Sequence, residues 1–94
     1  MRDFKVYMVW GPDPQWGNGA GVKGYFASAS EARSHIAYEK RDLRDKFGPR
    51  SEWPWPYDVV DYAIDVVRAS SLNVNLSEYN SKDEVLEYLN EGLY

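Results

Sequence analysis

The sequence contains no cysteine at any of its 94 positions. Secreted domains of this size commonly depend on disulfides, so this absence favours a reducing compartment and predicts a cytoplasmic protein. It also excludes zinc sites built on thiolates, iron–sulfur clusters and cysteine nucleophiles. No apolar run approaches the roughly 20 residues that cross a bilayer, and the residues after Met1 lack the apolar core of a signal peptide. The sequence therefore predicts a soluble protein that does not enter the membrane.

Basic charge is also scarce. Lys and Arg number 11 against 15 Asp and Glu, which gives a net charge of −4. A protein that follows nucleic-acid phosphates usually carries a basic field, so direct nucleic-acid binding is disfavoured. The acid is concentrated after Ser71, where Lys82 stands alone against Glu78, Asp83, Glu84, Glu87 and Glu91. The acidity of the protein is therefore expected to sit on one C-terminal element.

The composition is that of a folded domain. Apolar residues make up 44% of the chain and aromatic residues 16%, with four Trp and eight Tyr. This is too apolar for an intrinsically disordered chain. A chain of this length has enough material for one core, so residues 1–94 are predicted to form a single domain.

Two strands and a helix are predicted in the first half of the chain. Residues 4–10 and 22–27 read as strands joined by a long loop rich in Gly and Pro. Ser28 and Glu31 have the spacing of a capping box at a helix start, and Gly48 followed by Pro49 ends that helix. Its apolar stripe is formed by Ala32, Ile36, Leu43 and Phe47.

The second half repeats this order. Residues 57–69 fit either a strand or a helix, and their many β-branched residues favour a strand. Residues 72–76 alternate as a short edge strand, which offers an edge for pairing with a second copy in a homodimer. A second capping box at Ser81 and Glu84 starts a last helix with Val85, Leu86 and Leu89 inward. The predicted fold is an α+β domain in the order β-β-α-β-β-α, with two helices packed on one face of a mainly antiparallel sheet.

Two short patterns resemble functional motifs without their context. The segment from Gly19 to Gly24 matches G-x-G-x-x-G, but in a dinucleotide fold that motif opens a helix, and here it opens a strand. A flexible hairpin tip is the preferred interpretation. His35 is the single histidine, which cannot form a two-histidine metal site, so a position at the surface or boundary is expected.

Carboxylates offer the best case for catalysis. Asp58, Asp61 and Asp65 could supply acid–base chemistry or bind a hard cation such as Mg²⁺, although the spacing of a Ca²⁺ loop is absent. Solvated positions on a polar face are the favoured alternative. We therefore predict no catalytic residue, no metal site and no cofactor.

Tryptophans are the strongest candidates for contact residues. Proline follows both Trp53 and Trp55, and it restricts the backbone to extended geometry that presents a ring at little entropic cost. Rigid aromatic side chains are frequent anchors of protein interfaces. Trp16, in the Gly/Pro loop, would join this surface if exposed. The alternative is that Trp53 and Trp55 fold inward and close the core.

We interpret the chain as a non-catalytic protein-binding module whose partner the sequence does not identify. The predicted contact residues are Trp16, Trp53, Trp55, Asp83, Glu84, Glu87 and Glu91. In general character, and without a shared motif, the chain resembles small acidic accessory proteins of phages and mobile elements. That resemblance implies an inhibitor that occupies the surface of a host or defence protein. Two alternatives stay open. One is a small metal-dependent or carboxylate-using hydrolase that uses Asp58, Asp61, Asp65 or Glu52, and the other is a carbohydrate- or nucleobase-binding module built on the Trp rings.

Overall fold

The computed structural model describes residues 1–12, 20–52 and 62–93, which form a small α+β domain. An antiparallel sheet has the strand order β2-β1-β3, with β1 at Lys5–Pro12, β2 at Ala20–Phe26 and β3 at Ala63–Arg68. Helix α1 spans Ala29–Phe47, and helix α2 spans Lys82–Glu91. Short 3-10 turns cover Arg50–Glu52, Ala69–Ser71 and Leu76–Glu78. Within these residues, no helix is long and apolar enough to cross a membrane.

Strand β1 is the centre of the sheet. Val6 faces Val67 of β3, and Met8 faces Tyr25 of β2. The register of β1 and β2 shifts after Val9, so β2 carries one extra residue there. The strand predicted within residues 57–69 is confirmed for Ala63–Arg68. Residues 57–61 lie outside the described part of the chain.

The two helices lie against opposite faces of the sheet. Neighbouring residues in a strand project to opposite faces, and Tyr25 and Phe26 of β2 contact different helices. The Tyr25 side chain packs on the cluster that contains Val85 of α2. The Phe26 ring lies 5.0 Å from the His35 ring of α1, measured between ring centroids.

The expectation that both helices share one face is therefore wrong, although the α+β class and the antiparallel sheet are confirmed. The reason lies in β1. Val6 and Val9 project to opposite faces of this strand, and both are fully buried. Because each face carries apolar residues that must leave water, each face is covered by its own helix.

Both predicted capping boxes are present. Ser28 Oγ accepts a hydrogen bond from Glu31 N at 3.2 Å, and Ser81 Oγ accepts one from Glu84 N at 3.2 Å. The two glutamates reach back one residue further than in the usual capping box, to the N–H of Ala27 and of Asn80. At each helix start, the serine therefore satisfies one orphan backbone donor of the helix, and the glutamate binds the N–H of the residue before the cap.

The apolar stripe of α1 is only partly buried. Ala32 is fully buried, Ile36 and Leu43 are half-buried, and Phe47 is exposed. The main described core lies on the other face of the sheet, where Phe4, Val6, Ala69, Val85 and Leu86 form one cluster. Helix α2 is therefore the better packed of the two helices.

Residues 72–76 do not form the predicted fourth strand. Asn73 has a φ of 55°, in the left-handed region that interrupts an extended chain. Asn75 accepts a hydrogen bond from Ser77 N and caps the 3-10 turn that follows. The alternation that suggested a strand arises because Leu72 and Val74 pack against the core cluster. The edges of the sheet are β2 and β3, so a dimer through residues 72–76 loses its basis.

Candidate binding surface

Helix α2 has one buried side and one exposed side. Val85 and Leu86 are buried, and Leu89 packs partly against the same cluster. The opposite side is exposed and consists of Glu84, Glu87, Tyr88 and Glu91, which we call the acidic face. Glu84, Tyr88 and Glu91 follow the i, i+4, i+7 spacing of one helix stripe, so a tyrosine lies between two carboxylates.

The negative charge of the acidic face is not neutralised locally. Within the described residues, Glu87 and Glu91 form neither an ion pair nor a side-chain hydrogen bond. The nearest base in sequence, Lys82, places its Nζ 5.5 Å from the centre of the Phe4 ring. The last turn of α2 contains no basic residue, so the negative end of the helix dipole is also unopposed.

Tyr79 extends the acidic face with a second ring. The ring centroids of Tyr79 and Tyr88 are 5.8 Å apart, with an angle of 43° between the planes. Burial raises the pKa of Tyr79, and the nearby Tyr88 and the carboxylates of Glu78, Glu84 and Glu91 raise it further. The acidic face thus combines aromatic surface with a negative potential.

A side-chain amide fixes α2 against the edge of the sheet. Asn90 Oδ1 accepts a hydrogen bond from Tyr25 N at 2.8 Å, and Asn90 Nδ2 donates one to Tyr25 O at 3.0 Å. These two bonds imitate one step of strand pairing on β2, an edge strand of the sheet. The position of the acidic face is therefore set by both the apolar core and this amide bridge.

A groove of about 440 Å³ adjoins the acidic face at the C-terminal end of α2. Its wall combines tyrosine rings, leucine side chains and one carboxylate; the lining residues include Tyr25, Leu72, Tyr88, Leu89, Glu91 and Leu93. Burial raises the pKa of the Tyr25 hydroxyl above its ordinary value. A second hollow of about 450 Å³ lies at the end of β2, where residues of both helices line it, among them Ser30, Ser34 and Asp83.

The structure places only part of the predicted contact set. Asp83, Glu84, Glu87 and Glu91 are exposed on α2. Trp16, Trp53 and Trp55 lie outside the described residues, so their contact role stays a prediction.

The predicted carboxylate group is likewise incomplete. Asp65 is exposed on β3, whereas Asp58 and Asp61 lie outside the described residues. Within the described ranges, no group of three or more His, Asp or Glu side chains could hold a metal ion.

The structure also describes part of the glycine pattern and the single histidine. Gly21 and Gly24 lie within β2, so the glycine pattern leads into a strand as expected. His35 is half-buried at the boundary of α1, with its Nε2 2.9 Å from Glu39 Oε1 and its ring near Phe26. His35 therefore has structural neighbours in Glu39 and Phe26.

Sequence reasoning missed Tyr25, Tyr79, Tyr88 and Asn90. Tyr88 could have been found, because it stands at i+4 from Glu84 and at i−3 from Glu91. Asn90 and Tyr25 could not, because 65 residues separate them and no local pattern connects them.

No protein-family model, no curated protein and no solved structure matches this chain.

Proposed function

We propose that this protein is a non-catalytic binding module whose acidic face docks onto a basic surface of a protein partner. The observation that carries the proposal is the exposed stripe of Glu84, Tyr88 and Glu91 on a helix whose other side is buried. The helix is thus anchored in the core on one side while its charged side stays exposed. The phage-like character of the sequence extends the proposal to an inhibitor that occupies its partner's surface.

An exposed tyrosine distinguishes this surface from one that only confers solubility. Half of the Tyr88 surface is exposed, with a second tyrosine ring beside it. Aromatic residues are enriched in protein interfaces, where they supply rigid contact area. Unpaired carboxylates around such an anchor attract a basic partner and speed its association.

Affinity capture with charge-matched baits tests the proposal. The first bait is the wild-type protein, and the second is the Glu87→Lys/Glu91→Lys variant. The third is Asp45→Lys/Asp65→Lys, which makes the same charge change at exposed residues outside the acidic face. Each substitution replaces one negative charge with one positive charge, so the two substitutions of either variant change the net charge from −4 to 0.

We expect the wild-type bait and the Asp45/Asp65 control to retain the same protein from the native lysate, and the α2 variant to lose it. Circular dichroism of the three baits checks that all are folded. Equal capture by the α2 variant contradicts the proposal, and loss by both variants reduces it to a nonspecific charge effect.

A further inference from the structure

The groove beside the acidic face has two chemically different parts. Leu72, Leu89 and Leu93 provide an aliphatic wall, and Tyr25 and Tyr88 provide aromatic surface. Glu91 contributes the carboxylate. A groove of about 440 Å³ falls within the size range of sites that enclose a small ligand or a large side chain.

The apolar part suits a long, flexible hydrocarbon chain. Leucine side chains offer no hydrogen bond, so a fully polar ligand would lose its hydration there without compensation. The methylene stem of lysine or arginine is apolar and is commonly buried along such surfaces while its charged end stays near water.

The polar part suits a cation. Tyrosine faces attract cations that lie within about 6 Å of the ring centre. The Glu91 carboxylate adds a full negative charge, and it has no ion pair among the described residues. The C-terminal turn of α2, which lines the groove with Gly92, adds the negative end of a helix dipole, and this last turn contains no basic residue.

We infer that this groove binds an arginine side chain of the partner, with its stem along the leucines and its guanidinium at Tyr88 and Glu91. Arginine fits better than lysine because the planar guanidinium can stack on a ring and pair with a carboxylate at once. This inference rests on the proposed function and specifies the partner's chemistry: a basic segment with an arginine at the centre of the contact.

Titration of the isotopically labelled protein with two short peptides, followed by NMR, tests the inference. The probes are acetyl-Gly-Arg-Gly-amide and the same peptide with citrulline, which has the shape of arginine without its charge. We expect the arginine peptide to shift the resonances of Tyr25, Leu89 and Leu93 at millimolar concentration. The citrulline peptide should bind at least roughly fivefold more weakly, as expected for loss of one exposed cation–π contact and one surface ion pair.

Matched variants locate the contact. Glu91→Gln and Tyr88→Leu should each weaken binding of the arginine peptide about two- to fivefold. Glu87→Gln, which removes the same charge from the same helix outside the groove, should change it less than twofold. The dispersion of the spectra verifies that each variant is folded.

Three results overturn the inference: shifts outside the groove, equal binding of the two peptides, or an unchanged affinity in Glu91→Gln. These failures are distinguishable from failure of the proposed function. If charge reversal abolishes partner capture but the arginine peptide does not bind in the groove, the acidic face binds the partner without the groove. If the peptide binds in the groove but charge reversal leaves capture unchanged, the groove has affinity for arginine and the acidic face does not hold the partner.

Discussion

The amide bridge between Asn90 and Tyr25 can be tested by removing its two hydrogen bonds. Each hydrogen bond contributes a net stabilisation of about 1 kcal/mol, so Asn90→Ala should lower the free energy of unfolding by about 2 kcal/mol through the loss of both bonds. Alanine is the better helix former by roughly 0.5 kcal/mol, which offsets part of the loss. The expected decrease in the free energy of unfolding is therefore about 1.5 kcal/mol, enough to measure by urea denaturation.

Asn90→Asp provides a sharper test because it keeps the shape of the side chain. The aspartate retains an acceptor for Tyr25 N, but it turns an oxygen toward the Tyr25 carbonyl where the amide donated. The ionised form is thereby disfavoured, so the pKa of the introduced carboxyl should rise in the folded state. Stability should be nearly restored below about pH 4, the ordinary pKa of Asp, and lost as the pH rises through the raised value.

The control is Asn80→Ala, which changes an exposed asparagine whose side chain has no hydrogen bond among the described residues. It should cost less than about 0.5 kcal/mol. Hydrogen exchange adds an independent measurement, because the Tyr25 amide should be protected in the wild type and exposed to exchange in Asn90→Ala. Equal stability of the two alanine variants, together with unchanged exchange at Tyr25, would refute the reasoning.

Three further predictions concern the helix caps, the core and the loss of stability at low pH. Ser28→Ala and Ser81→Ala should each cost about 1 kcal/mol in urea unfolding; no loss in either contradicts the capping role. Leu86→Ala should cost roughly 2–5 kcal/mol, whereas Leu43→Ala on half-exposed α1 should cost about 1 kcal/mol; the reverse order would contradict the core. Side-chain and backbone hydrogen bonds from the turn after β3 lower the pKa of Asp3 below 3.8. Its stabilisation is therefore present above that pH and lost as pH falls through the lowered value, so melting temperatures of wild type and Asp3→Asn should converge at low pH.

Local sequence patterns predicted the helices and strands better than they predicted how these elements pack together. Ser28 and Ser81 identify both helix starts because a cap depends on a few adjacent residues. The sides of the sheet could not be assigned in this way. The burial of both Val6 and Val9 requires cover on two faces, and the alternation within residues 4–10 does not by itself indicate that both faces are covered.

The predicted strand at residues 72–76 shows why alternation alone is insufficient. In this segment the apolar residues, Leu72, Val74 and Leu76, alternate with polar ones. A strand and an irregular segment can both turn every second side chain inward, so the alternation does not distinguish them. The left-handed Asn73 and the capping Asn75 decide against a ladder. The signal in the sequence against a strand is the asparagine at each of the two polar positions, Asn73 and Asn75.

The candidate binding surface was likewise predicted from the sequence only in part. Its charge could be predicted, since Glu84, Glu87 and Glu91 lie on one helix. The groove required tertiary structure, because it joins Tyr25 of β2 with Leu72 and the end of α2. Contacts between residues so far apart in the chain leave no periodic pattern in the sequence.

The most direct test of the proposed binding function is the association rate of the captured partner, measured across a salt series. Because exposed charges are screened within about 10 Å at 0.1 M salt, the wild-type rate should fall as salt rises. Glu87→Lys/Glu91→Lys should associate about tenfold more slowly at low salt and show a flatter salt dependence, while Asp45→Lys/Asp65→Lys should follow the wild type. Equal rates for the wild type and the α2 variant at every salt concentration would mean that the acidic face is only a solvated surface.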